Sequence, residues 1–372
     1  MKNSSVKWVR LGDYIEWCDE RNTKEMYSVD DVRGISIEKR IIDTKANMDG
    51  VSVTNYKLYR TNYFCYVPVT SRNGNKITLA LNTYDATYIV SSAYEVFRVK
   101  DEVELLPLYL FLFFLRPEFD RYARYNSWGS AREVFSWENM CNILIPLPSV
   151  SEQQKVVNAW RAFREIKVQN EAKAAPLMQL CQSYIQELKH KYPMQEIGPY
   201  LQFFKEKNKD NEIKLEQGIN IAKEFITPQR SNSDLSSRIK VRTGQFAYCT
   251  QLNNENVAIS LRVGPDCVVS PVYEVFEIKK EYKHILNSEY LLLWLIRKEF
   301  GRYVYWSSVG SAYEFLRYDN LYSYKIPLPP IEVQQAIVNI YKCANEAKRI
   351  AEEADRLSRE VCPALLQHVI HS

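Results

Sequence analysis

Two polar segments of this sequence carry the residue types that read or grip a polyanion. Thr70–Lys76 (TSRNGNK) supplies Ser71, Arg72, Asn73 and Lys76 within one short stretch. A guanidinium pairs bidentately with guanine, a carboxamide pairs with adenine, and an ammonium neutralises a phosphate. Thr250–Asn256 (TQLNNEN) supplies Gln251, Asn253, Asn254 and Asn256 without a cation, a set suited to adenine edges or water-bridged contacts. Either segment would also serve as an ordinary polar hairpin loop. A second pair of sites is formed by Ser130 and Arg132 and by Ser311 and Tyr313. Each follows a glycine and precedes a predicted helix, where free backbone N–H groups favour a phosphate. The plainer alternative there is a helix cap.

These sites fall at equivalent places because the chain repeats itself. Arg116–Asn158 and Arg297–Asn339 align without a gap at an offset of 181, and nineteen of the forty-three pairs are identical. The matches include RPEFDRY with RKEFGRY, Gly129–Ala131 with Gly310–Ala312, and Ile145–Pro148 with Ile326–Pro329. Both copies then carry a Gln-Gln pair followed by Val-Asn. Weaker echoes lie upstream: Leu11–Trp17 with Ile197–Phe203, Gly34–Lys39 with Gly218–Lys223, Arg60–Tyr66 with Arg242–Tyr248, and Tyr94–Phe97 with Tyr273–Phe276. The offset drifts between 179 and 186, as it does when loops gain or lose residues while the elements between them persist. Two copies of one α+β unit therefore make up the chain.

Within each copy, the alternating segments Tyr88–Val99 and Val268–Ile278 predict strands. Leu105–Tyr122 and Ser288–Tyr305 predict helices, the first with a kink or restart at Pro117. After each Ile-Pro-Leu-Pro the pattern becomes one continuous helix. The first runs from Ser151, read as N-cap with Gln154 completing a capping box, to about Lys191. Its apolar seam is Val156, Trp160, Phe163, Ala174, Leu177, Cys181, Tyr184 and Leu188. In the second copy the seam is Ile337, Ile340, Ala344, Ala347, Ala351, Ala354, Val361 and Leu365. Such heptad-like stripes call for a partner helix. Pro176 and Pro363 predict a bend or break in each. The division is a first recognition unit over 1–150, a central helix over 151–192, a second unit over 193–330 and a C-terminal helix over 331–372.

In the order unit–helix–unit–helix, a pseudo-twofold axis makes the two helices an antiparallel coiled coil. About forty residues at 1.5 Å each span ~60 Å. That length suits two readers placed on major grooves one turn, about 34 Å, apart.

Composition fits such a molecule without demanding it. The 372 residues are 46% hydrophobic and 25% charged, with net charge +4. That balance describes a folded chain compatible with a polyanionic partner. Eight scattered cysteines suggest reduced thiols and a cytoplasmic protein. The N-terminus has no apolar signal core, and no apolar run approaches the ~20 residues that span a bilayer.

Catalytic patterns are thin. Pro265-Asp266 with Glu277-Ile278-Lys279 matches the loose PD…ExK arrangement in which nuclease carboxylates hold a metal. In the repeat, however, Asp266 aligns with Thr87 and Glu277 with Arg98, so the match reads as chance within a strand. No glycine-rich phosphate loop appears, nor the Asp/Asn-Pro-Pro-Tyr/Phe segment of base methyltransferases. Four histidines cannot furnish a repeated metal site. No cofactor is implied.

The whole pattern, with Gly129–Ser130 and Gly310–Ser311, the Ile-Pro-Leu-Pro segments and the Gln-Gln pairs opening long helices, resembles the specificity subunit of type I restriction-modification systems. TSRNGNK is also similar to segments of that family. The resemblance implies two target-recognition domains, each reading half of a bipartite site in double-stranded DNA. It also implies helices that act as spacer and docking surface for two methyltransferase subunits, with restriction (translocase) subunits joining them. The chain departs from the family in carrying Ala131 and Ala312 where Thr often follows Gly-Ser. Two other readings compete with this one: a nuclease using Asp266, Glu277 and Lys279, and a scaffold that binds proteins rather than DNA.

Overall fold

The computed structural model describes residues 6–71, 76–129, 132–229, 234–252, 255–307 and 315–371. The first copy contains β1 (Lys7–Arg10), β2 (Ile15–Cys18), β3 (Arg33–Ile35), β4 (Ile41–Asp43), β5 (Lys57–Tyr59), β6 (Phe64–Tyr66), β7 (Leu79–Leu81), β8 (Tyr88–Val90) and β9 (Glu95–Val99). Helices α1 (Pro107–Phe114), α2 (Pro117–Tyr125) and α3 (Trp137–Cys141) follow, and β10 (Leu144–Leu147) leads into the long α4 (Val150–Lys191). The second copy begins with β11 (Met194–Glu196), β12 (Leu201–Phe204), β13 (Gly218–Ile219), β14 (Phe225–Ile226) and β15 (Ile239–Val241). It continues through β16 (Phe246–Cys249), β17 (Ile259–Leu261), β18 (Cys267–Val269) and β19 (Tyr273–Ile278). It closes with α5 (Ser288–Leu295), α6 (Lys298–Ser307), α7 (Tyr318–Tyr322), β20 (Lys325–Pro327) and α8 (Ile331–His371).

The duplication extends to topology. The antiparallel sheet β2-β9-β6-β7 recurs as β12-β19-β16-β17, and the ladders β1–β10, β3–β4 and β5–β8 recur as β11–β20, β13–β14 and β15–β18. The centre of each sheet is built from the same aromatics. Phe64 stacks on its cross-strand partner Phe97 at 4.8 Å, and Phe246 stacks on Phe276 at 4.7 Å. Tyr66 meets the first pair edge-on, a geometry that aromatic quadrupoles favour, and Tyr248 meets the second at a tilt of 57°. Each segment predicted as one strand, Tyr88–Val99 and Val268–Ile278, is two strands in different sheets. A turn breaks each one, closed by Tyr94 N–H on the Ser91 carbonyl and by Tyr273 N–H on the Ser270 carbonyl.

The predicted apolar helices also divide, α1 from α2 and α5 from α6. Pro117 opens α2 as anticipated, yet the second copy breaks at the same place with Lys298 there. In both copies a lysine covers the helix end. Lys39 Nζ donates to the Phe114 carbonyl at 2.6 Å, and Lys223 Nζ donates to the Leu295 carbonyl at 3.5 Å. Both lysines have left-handed backbone, with φ of 56° and 65°. A cation at a helix C-terminus complements the exposed carbonyls there. Lys39 is buried and also pairs with Asp120 at 2.7 Å. Burial outweighs that carboxylate and holds its ammonium below the usual lysine range.

The long helices are anchored by the first glutamine of each Gln-Gln pair. Gln153 and Gln334 are completely buried. Gln153 Oε1 accepts from Leu106 N–H at 2.9 Å, and its Nε2 donates to the Glu104 and Pro148 carbonyls at 2.9 and 3.0 Å. Gln334 does the same with Asn287 N–H and the Ile285 and Pro329 carbonyls, at 2.9, 2.7 and 2.8 Å. The second glutamines donate one turn along their own helices, to Asn158 and Asn339, and Gln335 Oε1 also accepts from Asn287 Nδ2 at 2.9 Å. The N-cap of α4 is therefore Ser149, whose Oγ accepts from Glu152 N–H at 3.4 Å, and not Ser151.

Neither proline ends its helix; both Pro176 and Pro363 lie inside. A proline frees the carbonyl four residues earlier. Here those carbonyls belong to Ala172 and Arg359, both exposed residues.

The chain divides into two compact units, Met1–Asn170 with Arg349–Ser372, and Glu171–Lys348, so each contains part of both long helices. In the first, Val156, Val157 and Leu366 enter one core, and Lys167 Nζ meets Asp355 at 2.7 Å. Rising numbers on α4 thus meet falling numbers on α8, and the segments run antiparallel. In the second, Cys181, Ile185 and Leu188 share the core with Ile337 and Val338, and the Cys181 thiol lies 3.9 Å from the Ile337 carbonyl. The alanine seam of Ala344, Ala347, Ala351 and Ala354 is buried, whereas Tyr184 faces water and Ile185 takes its place. Among the described residues no helix is long and apolar enough to cross a membrane.

Replacing Gln153 by Ala strips three buried backbone groups of their partner. It should destabilise the first unit by about 2–3 kcal/mol, whereas Gln154→Ala should cost less than about 0.5 kcal/mol. Urea denaturation of the two variants side by side measures the difference.

Candidate nucleic-acid interface

In each copy the described residues flanking the two polar segments, distant in sequence, are adjacent in space. In the first unit, Val69 bridges Val134, and Val134 in turn bridges Trp128. Thr70 N–H donates to the Glu133 carbonyl at 2.9 Å, and Phe135 N–H donates to the Pro68 carbonyl at 2.8 Å. The stretch after β6 is thereby laid along the stretch between α2 and α3. The second unit repeats this join, with Gln251 bridging Phe315 and Leu316 N–H donating to the Thr250 carbonyl at 2.8 Å. Asparagines on the short helices tie the base of the second stretch. Asn139 Nδ2 donates to the Asn126 carbonyl at 2.7 Å, and Asn320 Nδ2 donates to Ser307 Oγ at 2.9 Å.

Gly129 makes the turn that this join requires. Its φ is 152°, and a Cβ there would lie 2.0 Å from the Arg132 carbonyl oxygen. The helix predicted directly after Gly-Ser-Ala begins only at Trp137, capped by Ser136, whose Oγ accepts from Asn139 N–H at 3.1 Å. The intervening residues are extended because Val134 is held on both sides. The helix-start reason for a phosphate at Ser130 and Arg132 therefore falls away, and the exposed Arg132 side chain is left as the cationic group there.

Ser71, Lys76, Gln251 and Asn256 are exposed as well. Lys76 is ion-paired with Glu38 at 2.9 Å, with both side chains about half exposed. That neighbour holds the Glu38 carboxyl below the usual range. Arg72, Asn73, Ser130, Asn253, Asn254, Ser311 and Tyr313 lie outside the described residues.

Aromatic groups beside the join are what the sequence reading missed. Tyr125 is 75% exposed, Trp128 is 68% exposed, and their rings meet edge-on at 6.2 Å. Trp306, the repeat equivalent of Tyr125, is 76% exposed. The available signal is an aromatic at the same helix-end position in both copies, off the stripe set by the buried Phe119 and Ala123 or Phe300 and Val304. Exposed rings beside a polar loop offer flat faces to bases or sugars.

The nuclease-like residues do not gather. Asp266 accepts from Thr243 N–H at 2.8 Å, Glu277 accepts from Gln245 Nε2 at 3.2 Å, and Lys279 Nζ donates to the Pro199 carbonyl at 2.7 Å. Among the described residues no cluster of acidic, His or Cys side chains could hold a metal.

Two copies of one frame, each presenting a two-segment polar loop surface and each continuous with a long helix, define a double-headed recognition protein. The chain belongs to the family of type I restriction modification DNA specificity domains, whose model matches it twice, over residues 23–175 and 187–343. Its fold is similar to the crystal structure of a type I restriction-modification system S subunit from M. genitalium. That likeness covers 99% of this chain and 97% of that one, with TM-score 0.61 and 12% identity. An HsdS subunit from Thermoanaerobacter tengcongensis matches over 99% and 97% of the two chains at 18% identity, with TM-score 0.41. No curated protein matches the sequence.

Glu38 competes for the Lys76 ammonium with any phosphate. Glu38→Gln should tighten binding to nonspecific duplex DNA about threefold at low salt. It should also steepen the slope of log K against log salt by about one, the signature of one added phosphate contact. Fluorescence anisotropy across a salt series reads both; an unchanged slope would mean that Lys76 does not reach the backbone.

Proposed function

We propose that this chain is the DNA-sequence specificity subunit of a type I restriction-modification complex, each recognition domain reading one half of a bipartite site. The observation that carries the proposal is the duplicated join. The same two segments are laid together on the same frame in both copies, while the residues they present differ. By sequence, the segments of one copy contain Arg72, Lys76 and Arg132, and those of the other contain Gln251, Asn253, Asn254 and Asn256. Identical frames with unlike loops suit a protein whose halves read unlike sequences, because direct readout depends on side-chain type at the base edge.

In this reading the helices set the spacing between half-sites and dock two methyltransferase subunits, and restriction (translocase) subunits complete the assembly in the cytoplasm. Catalysis then resides in those partners. The dispersal of Asp266, Glu277 and Lys279 onto separate hydrogen-bond partners supports this division of labour.

Sequencing of DNA modified by the assembled complex should give one motif in two short parts, separated by bases that do not matter. A set of modified sites with no two-part consensus would overturn the proposal. Glu277→Ala should leave methylation and cleavage by that complex unchanged; loss of cleavage alone would revive the nuclease reading.

A further inference from the structure

The helix that follows the first break carries the motif RPEFDRY in one copy and RKEFGRY in the other. Five of the seven positions are identical. One of the two that differ, Asp120 against Gly301, faces the polar loop after β6 or β16. Asp120 Oδ1 accepts from Ile77 N–H at 3.1 Å and from Lys39 Nζ at 2.7 Å. Ile77 is buried and directly follows the exposed Lys76, so this carboxylate fastens the loop at its C-terminal root.

In the second unit no side chain stands at the equivalent place. The chain fills the space itself: a Cβ on Gly301 would lie 2.0 Å from the Glu255 carbonyl oxygen and 3.2 Å from its carbon. The buried Val257 sits two residues on, where the first unit has Ile77. Lys223, the equivalent lysine, reaches a helix-end carbonyl among the described residues.

The two arrangements exclude each other. An aspartate at 301 cannot fit beneath the Glu255 carbonyl, and a glycine at 120 would leave the Ile77 amide without its acceptor and the buried Lys39 ammonium without its counter-charge, a costly state. One helix position therefore fixes how closely the loop root approaches the helix, by a side chain in one unit and by direct backbone packing in the other.

We infer that Asp120 and Gly301 are specificity-positioning residues. Each sets the course of the recognition loop in its own unit, and with it the bases that unit selects, without touching DNA. The inference rests on the specificity-subunit reading and adds to it a determinant outside the loops. It also explains why divergent loops sit on one frame: the helix residue and the loop path are matched within each copy.

The test uses the complete complex with its methyltransferase partner, modifying a library of randomised split sites that is then sequenced. Gly301→Ala pushes the Glu255 carbonyl away. It should reduce the preference for the best base at one or more positions of one half-site at least tenfold, leaving the other half-site unchanged. Asp120→Gly should do the same to the opposite half-site. Asp120→Asn keeps a neutral acceptor for the Ile77 amide and should largely restore the motif, which a merely destabilised helix would not do. Should Asp120→Gly fail to assemble, Gly301→Ala and Asp120→Asn still decide the matter. Assembled variants that retain both halves of the motif, or lose both in parallel, would overturn the inference. A wild-type complex with no two-part motif at all would instead overturn the specificity-subunit reading beneath it.

Discussion

The architecture hangs on a buried side-chain amide. Gln153 and Gln334 are fully enclosed, and each spends its oxygen and both of its N–H donors on backbone groups from the approach to the preceding apolar helix and from the proline-rich strand end. A buried amide with every bond made is worth more than its average share, since losing it orphans three backbone groups in a medium that cannot solvate them. The long helix consequently leaves each recognition unit in one direction only.

Beneath the loops, the frame is rigid for ordinary reasons. Stacked phenylalanines on neighbouring strands, each pair with a tyrosine ring against it, fill the sheet face beneath the apolar helix in both units. Lysines with left-handed backbone cover the end of that helix. Buried asparagines act in the same spirit. Asn22 and Asn208 each accept from an amide five residues on and donate to that residue's carbonyl, closing equivalent loops. The variable residues are attached to this frame through a few backbone bridges, so their side chains can change without disturbing what holds them.

The copies are unequal where charge meets the frame. In the first unit the consecutive residues Glu38, Lys39 and Arg40 reach three different elements, pairing with Lys76, Asp120 and Asp355. Their equivalents are Ala222, Lys223 and Glu224, which leaves only the lysine in common. The exposed pairs among these contribute little on their own. The enclosed Lys39–Asp120 pair is the one whose loss would be felt, since breaking it strands a buried charge.

Much of this was legible in the residues themselves. The repeat, the two long helices, the buried alanine seam and the importance of the Gln-Gln pairs follow from spacing and periodicity, which are local properties of a chain. Other features turn on contacts that no local pattern encodes. Ser149 rather than Ser151 caps α4, because Ser149 Oγ reaches the Glu152 amide. Each long strand breaks in two where the chain changes sheets. Pro176 and Pro363 stay inside their helices, where the carbonyls they free belong to exposed residues. Only the tertiary structure decided that Thr70 lies against Glu133 and Thr250 against Leu316, which turns two unremarkable polar segments into one surface. It alone revealed that Asp120 and Gly301, at equivalent positions of a shared motif, meet their loops in incompatible ways. The physical reason is the same throughout. Periodicity records which face of an element is buried, whereas the partner that buries it comes from residues far along the chain, and only folding brings them together.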